Sequence, residues 1–261
     1  MMLSDREAEP VAMRFSGLGY QTFVLKYSVL NGGKNTWPEV KDEMPERRPE
    51  REFPAPILEL GRAMLLIRSH AEEWNVDADQ IGITGYSAGG HNCTMYASCW
   101  NRPFVTEALG VSAEQLKPAF CIAGYPFVSW ELQLSAPMDP MTAKSYRWMY
   151  FDYFGTPDPT PEQMREASSD CAVSEDTCPM FLWNTRTDRS VDPRHSLRLA
   201  LALADHGVDY EYHIFGEGQH GLSLADKSTM HTAADCNDAV AQWFPLAVKW
   251  LEKRVRIAPA G

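Results

Sequence analysis

The sequence predicts an α/β fold: a mostly parallel sheet with helices on both faces. Three observations carry this reading. Strand-like and helix-like segments alternate through the second half of the chain, the rhythm of βαβ units. Residues 117–125 (KPAFCIAGY) are apolar almost throughout, as a strand covered on both faces must be. Finally, a short strand at 80–84 leads through a Gly-x-Ser-x-Gly turn directly into a helix-forming run at 93–97.

Taken from the N-terminus, residues 5–18 predict a helix, with Ser4 as its cap and Val11, Ala12, Phe15 and Leu18 at helical spacing. Gly19 ends it. Residues 21–30 (QTFVLKYSVL) are rich in β-formers with partial alternation and predict a strand. Residues 31–56 hold many Pro, Gly and charged residues and read as a solvated loop; Asn31-Gly32-Gly33 within it lacks the Lys-Ser/Thr of a phosphate loop and reads as a turn. Pro56 opens a helix expected to reach Trp74, with Ile57, Leu60, Met64, Leu65 and Ile67 on one face.

After the strand at 117–125 the rhythm breaks. Residues 126–170 hold Trp130, Tyr146, Trp148, Tyr150, Phe151, Tyr153 and Phe154 among several prolines, and are expected to form an inserted lid. Its aromatics suit either a stacking floor for a sugar or aryl group or plain apolar packing. Alternation then resumes: a strand at 180–184, a helix at 193–206, a strand at 210–215 and a closing helix at 235–255. No repeat, linker or low-complexity tract divides residues 1–261, so one domain is expected.

The turn Gly85-Tyr86-Ser87-Ala88-Gly89 is the first chemical signal. It lifts a serine hydroxyl off the backbone at a helix N-terminus, where free N–H groups and the dipole favour developing negative charge. Gly85 and Gly89 are expected where side chains would crowd the turn, and the Ala88 N–H is the expected oxyanion donor. A serine needs a base, and the base an orienting carboxylate. In a doubly wound sheet such groups gather beyond the carboxyl ends of the strands. The loop after 180–184 contains Asp188 and Asp192; the loop after 210–215 contains His220 between Gly218 and Gly221. Asp188 is favoured over Asp192, because Asp192 precedes Pro193 and is placed to cap the next helix. His70, His195, His206 and His213 fall in expected helices or strands, His231 precedes the last helix, and His91 is too near the elbow to serve Ser87.

Composition narrows the partners. A formal charge of −11 argues against nucleic acid and anionic membranes and suits a small neutral substrate better; the serine motif makes that small molecule an ester. The N-terminus is charged at Asp5, Arg6, Glu7 and Glu9 where an export signal would be apolar, so a cytoplasmic protein with reduced thiols is expected. The six cysteines show no zinc spacing, and no metal or organic cofactor is implied. A homo-oligomer is compatible with all of this.

With these residues placed, the chain resembles the α/β-hydrolase superfamily, and within it the bacterial esterase/lipase group of acetylxylan-esterase-like and feruloyl-esterase-like enzymes. Residues 6–12 (REAEPVA), 53–56 (FPAP), 85–91 (GYSAGGH), 124–126 (GYP), 180–183 (MFLW) and 218–221 (GQHG) carry the match, and Ser87, Asp188 and His220 keep its triad order. The resemblance implies a serine esterase that removes short acyl groups, acetyl above all, from sugar or oligosaccharide esters. It also implies upstream strands, one ending in a glycine-rich loop that supplies a second oxyanion N–H. These N-terminal strands are missing here, so a truncated reading frame is expected. Gly32 or Gly33 could replace that donor only with a changed strand order. Two rival readings stand beside the esterase: a hydrolase-fold protein impaired by the missing oxyanion loop, and a prolyl-oligopeptidase-like serine peptidase.

Overall fold

The computed structural model describes residues 3–32, 39–135 and 140–255. Gly33, Met1 and Met2 lie outside the described residues. Four parallel strands form the sheet: β1 (Ile83–Tyr86), β2 (Cys121–Gly124), β3 (Met180–Thr185) and β4 (Tyr210–Phe215), in the order β1-β2-β3-β4. Tyr86 is level with Gly124, Gly124 with Trp183, and Thr185 with Phe215. The carboxyl ends of the strands therefore finish on one side of the sheet, and the loops that follow them open there.

Around the sheet run ten α-helices among the described residues. They are α1 (Glu9–Ser16), α2 (Ala55–Ser69), α3 (Ser87–Cys99), α4 (Pro103–Leu109), α5 (Trp130–Ser135), α6 (Pro140–Phe154), α7 (Pro161–Glu166), α8 (Ser169–Ala172), α9 (Arg194–Asp205) and α10 (Trp243–Glu252). Successive strand residues point to opposite faces, and each face has its own apolar layer. Ile83, Cys121, Ala123, Met180 and Leu182 pack with Ile57 and Met64 of α2, Met95 and Tyr96 of α3, Val105 of α4 and Leu199 and Leu203 of α9. Tyr86, Ile122, Phe181 and Trp183 pack with Val11 and Phe15 of α1 and Trp243, Phe244 and Trp250 of α10. Helices cover both faces, as the apolar run of β2 requires.

Three expectations are corrected. Residues 21–30 form no strand and pair with none among the described residues. A ladder needs a neighbour about 4.8 Å away, and among the described residues β1 pairs only with β2, so β-propensity at 21–30 finds no partner there; Phe23 stays 46% exposed. The first helix is shorter, because Pro10 lacks the N–H an interior position needs and fits only a first turn. A 3₁₀ turn at Asp5–Glu7 precedes α1, and Ser4 makes no capping bond. The closing helix begins at Trp243 rather than 235, since the Asp235 carboxylate folds back to accept from the N–H groups of His231 (2.7 Å) and Thr232 (2.8 Å). Smaller shifts trim α2, which stops at Ser69, and β1, which starts at Ile83.

The segment between β2 and β3 carries α5 to α8. Phe127, Trp130, Tyr150, Tyr153, Met164 and Ala167 form a third buried cluster there, with Trp130 stacked on Tyr153 at 4.9 Å. Most of these rings serve packing beneath the segment, with Tyr146 and Phe154 only partly covered at its margin.

Candidate active site

Ser87 is the first residue of α3 and follows β1 without a spacer. Its φ is 52°, a left-handed value costly for a non-glycine residue. The strain falls on Ser87 itself, and the neighbouring glycines make room for it. A Cβ on Gly85 would lie 2.3 Å from the Gly89 carbonyl oxygen, and one on Gly90 would lie 3.0 Å from the Pro126 Cα. Gly89 departs from the expectation: a Cβ there would meet only the Tyr27 hydroxyl at 4.0 Å. Gly90 is thus the second crowded position of the turn, while Gly89 faces open space. Phe127 N–H donates to the Ser87 carbonyl at 3.1 Å and holds the elbow against the end of β2. Ala88 lies in the first turn of α3, where N–H groups have no intrahelical acceptor. The Gly32 N–H is bonded to the Val29 carbonyl in a turn at 3.1 Å.

The loops after β3 and β4 meet the elbow. The Nε2 of His220 lies 2.8 Å from the Ser87 Oγ, and its Nδ1 lies 2.6 Å from the Asp188 Oδ2. The other Asp188 oxygen, Oδ1, accepts from the N–H groups of Ser190 (2.8 Å) and Val191 (3.0 Å), which orients the carboxylate and compensates its burial. The Thr185 and Thr187 hydroxyls donate to the Gly218 carbonyl at 2.8 and 3.0 Å, and so stitch the two loops together. Gly221, with φ 78°, turns the chain directly after His220 as only glycine does cheaply. Ser87, His220 and Asp188 therefore form one hydrogen-bonded line from three strand ends. Asp192 is not in it. It accepts from the Arg194 N–H and guanidinium at the start of α9.

The remaining histidines have other partners. His91 is buried against Phe127 and Tyr153, and burial lowers it to about 3. His195 accepts at Nδ1 from the Val128 and Ser129 N–H groups and faces Gln133 with Nε2; burial lowers it to about 4. Both are neutral near neutral pH and fasten the loop after β2. His70, His206 and His213 bond locally to Leu66, Ala202 and Glu211.

Two residues beside the line had no role assigned from the motifs. The Tyr125 ring lies 4.9 Å from the His220 ring at 67°. The Tyr146 hydroxyl donates to the Ser190 carbonyl at 3.3 Å, and burial, with the nearby Asp188 carboxylate, raises it to about 12. The position of Tyr125 directly after a buried strand was a readable signal; that of Tyr146, in the middle of α6, was not.

Comparison with known proteins gives the family and the fold. The BD-FAE family model matches residues 46–203, more than half of the chain. The chain is 26% identical over 86% of its length to endo-1,4-beta-xylanase B of Butyrivibrio fibrisolvens, and 23% identical over 82% to the acetylxylan esterase of Xylanibacter ruminicola. It spans only 31% and 40% of those two proteins. Among solved structures, the carboxylesterase Cest-2923 of Lactobacillus plantarum superposes with a TM-score of 0.75 at 28% identity, covering 97% of this chain and 81% of its own. The acetyl ester-xyloside bifunctional hydrolase of Caldicellulosiruptor lactoaceticus gives 0.71 at 31% identity, covering 97% and 78%. With this sheet, this elbow and these likenesses, the chain belongs to the BD-FAE family and has the α/β-hydrolase fold.

Proposed function

We propose that the chain is a serine carboxylester hydrolase acting through Ser87, His220 and Asp188. The observation that carries this reading is the unbroken line from the Asp188 Oδ2 through His220 to the Ser87 Oγ, at 2.6 and 2.8 Å. His220 Nε2 takes the Ser87 proton as Oγ attacks the ester carbonyl, and Asp188 holds the proton on Nδ1 so that Nε2 is free to accept. The Ala88 N–H and the positive end of the α3 dipole stabilise the oxyanion. His220 then returns the proton to the leaving alcohol, and water, activated the same way, releases the acid.

For the substrate we propose short acyl groups, acetyl above all, on sugars or oligosaccharides. The support is the activity named for two relatives, an acetylxylan esterase and an acetyl ester-xyloside bifunctional hydrolase. The helical segment between β2 and β3 acts as the lid, with Tyr146 at its margin beside the Asp188 loop. The test pairs a fluorophosphonate probe with S87A. Labelling of the wild type on Ser87, its loss in S87A, and acetate release from acetylated xylo-oligosaccharides support the reading. Faster cleavage of a proline amide than of p-nitrophenyl acetate favours a peptidase, and absence of labelling refutes the nucleophile.

A further inference from the structure

The motif at residues 6–12 has no part in the chemistry described so far, yet it reaches the candidate site. Tyr125, directly after β2, holds φ at 37°, a value tyrosine seldom takes. Its hydroxyl donates to the Glu7 Oε1 at 2.6 Å and accepts from the Ser223 N–H at 3.1 Å. Ser223 is fully buried and commits its other polar groups as well: its hydroxyl donates to the Arg6 carbonyl, and its carbonyl accepts from the Trp243 indole at 2.8 Å. The turn that follows His220 is thereby tied to Arg6 and Glu7, more than two hundred residues earlier in the chain.

The choice of a carboxylate here is costly. Burial pushes Glu7 up, and the Tyr125 hydrogen bond, His220, Arg6 and Ser4 pull it back only in part. A tie alone needs no charge, since a glutamine offers the same acceptor to Tyr125 without the desolvation penalty. The charge has a use where a cation comes and goes. Of the two cationic groups that act on Glu7, Arg6 also faces Asp235 at 3.7 Å and donates to the Thr229 carbonyl. The other is His220, which becomes cationic when it takes the Ser87 proton.

We propose that Glu7 is a positioning residue for His220: it anchors the histidine loop through the Tyr125 hydroxyl, and its negative charge steadies the imidazolium formed during ester cleavage. This rests on the reading of Ser87, His220 and Asp188 given above. Asp188, Ser87 and the Tyr125 ring lie against His220, with Glu7 behind the Tyr125 hydroxyl; Ser4, Arg6, Tyr125 and the charge of His220 act on Glu7, and burial first, then the Glu7 carboxylate, keeps Tyr27 and Tyr86 protonated.

The experiment follows the His220 imidazole by NMR across pH, assigned against H220A, in wild type, E7Q and Y125F. Steady-state pH profiles on p-nitrophenyl acetate accompany it. In E7Q the imidazole midpoint and the acid limb of kcat/KM both move to lower pH by roughly half a unit. The kcat falls about threefold, the equivalent of that half unit, with little change in KM. Y125F, which keeps the charge, moves the midpoint less. The pair E7D and E7N repeats the contrast with a shorter side chain, so a fold defect in E7Q leaves the question decidable. An unmoved midpoint in E7Q and between E7D and E7N overturns the proposal. A wild type that cleaves no ester overturns the esterase reading instead, and the imidazole titration still decides whether Glu7 and His220 are coupled.

Discussion

Replacing Asp188 with asparagine separates a catalytic carboxylate from a structural one. The Asp188 Oδ1 accepts two main-chain N–H groups, from Ser190 and Val191. In D188N those two donors hold the amide oxygen on their side, so the amide NH₂ faces the His220 Nδ1. The imidazole must then accept at Nδ1 and carry its proton on Nε2, which faces the Ser87 Oγ at 2.8 Å. The base is blocked by its own proton. A wrong tautomer of this kind costs about 10³–10⁴ in kcat, equivalent to roughly 4–5.5 kcal/mol at about 1.36 kcal/mol per tenfold. Both main-chain bonds survive in weakened form, so the fold loses only about 1 kcal/mol. The assay is kcat and KM on p-nitrophenyl acetate together with a urea unfolding curve. D192N is the control: its carboxylate bonds to Arg194, and its kcat stays at the wild-type value. A D188N enzyme within tenfold of wild-type kcat, or a loss matched by unfolding, refutes the reasoning.

Other predictions follow from the same geometry. G85A forces a Cβ to 2.3 Å from the Gly89 carbonyl and destabilises by about 1–3 kcal/mol. G89A meets no close atom and gains up to about 0.5–1 kcal/mol from helix preference; thermal unfolding orders the two, and a G89A less stable than wild type contradicts the open space seen beside the elbow. Stability falls in acid through His91 and His195, lowered from 6.5 to about 3 and about 4 in the fold. Below about pH 6.5 the unfolded chain binds protons that the folded chain refuses. Their contribution is therefore whole above that pH and is lost as pH drops toward 4, by on the order of 2–3 kcal/mol each. Urea midpoints taken from pH 7.5 to 4.5 check this, and a flat profile contradicts it.

How far the fold was legible depends on where the information sits. The strand at 210–215 was read to the residue and the helix at 193–206 to within one at each end, because period and punctuation are local. Residues 21–30 have strand propensity but pair with no strand among the described residues, and propensity does not create a partner. The run at 235–255 looked like one helix, yet the Asp235 side chain satisfies backbone donors at 231 and 232 and delays the helix by two turns.

The sequence by itself determined the α/β alternation and the Ser87 elbow, since both are written in contiguous residues. A strand, a sharp turn and a helix N-terminus need no distant partner to be recognised. Only the tertiary structure decided which aspartate meets His220, that Gly90 rather than Gly89 is crowded, and that Glu7 stands beside the site. The first and last of those outcomes join residues 32 and 118 positions apart, Asp188 to His220 and Glu7 to Tyr125. They follow from the aligned strand ends, which bring together loops that no window along the chain contains.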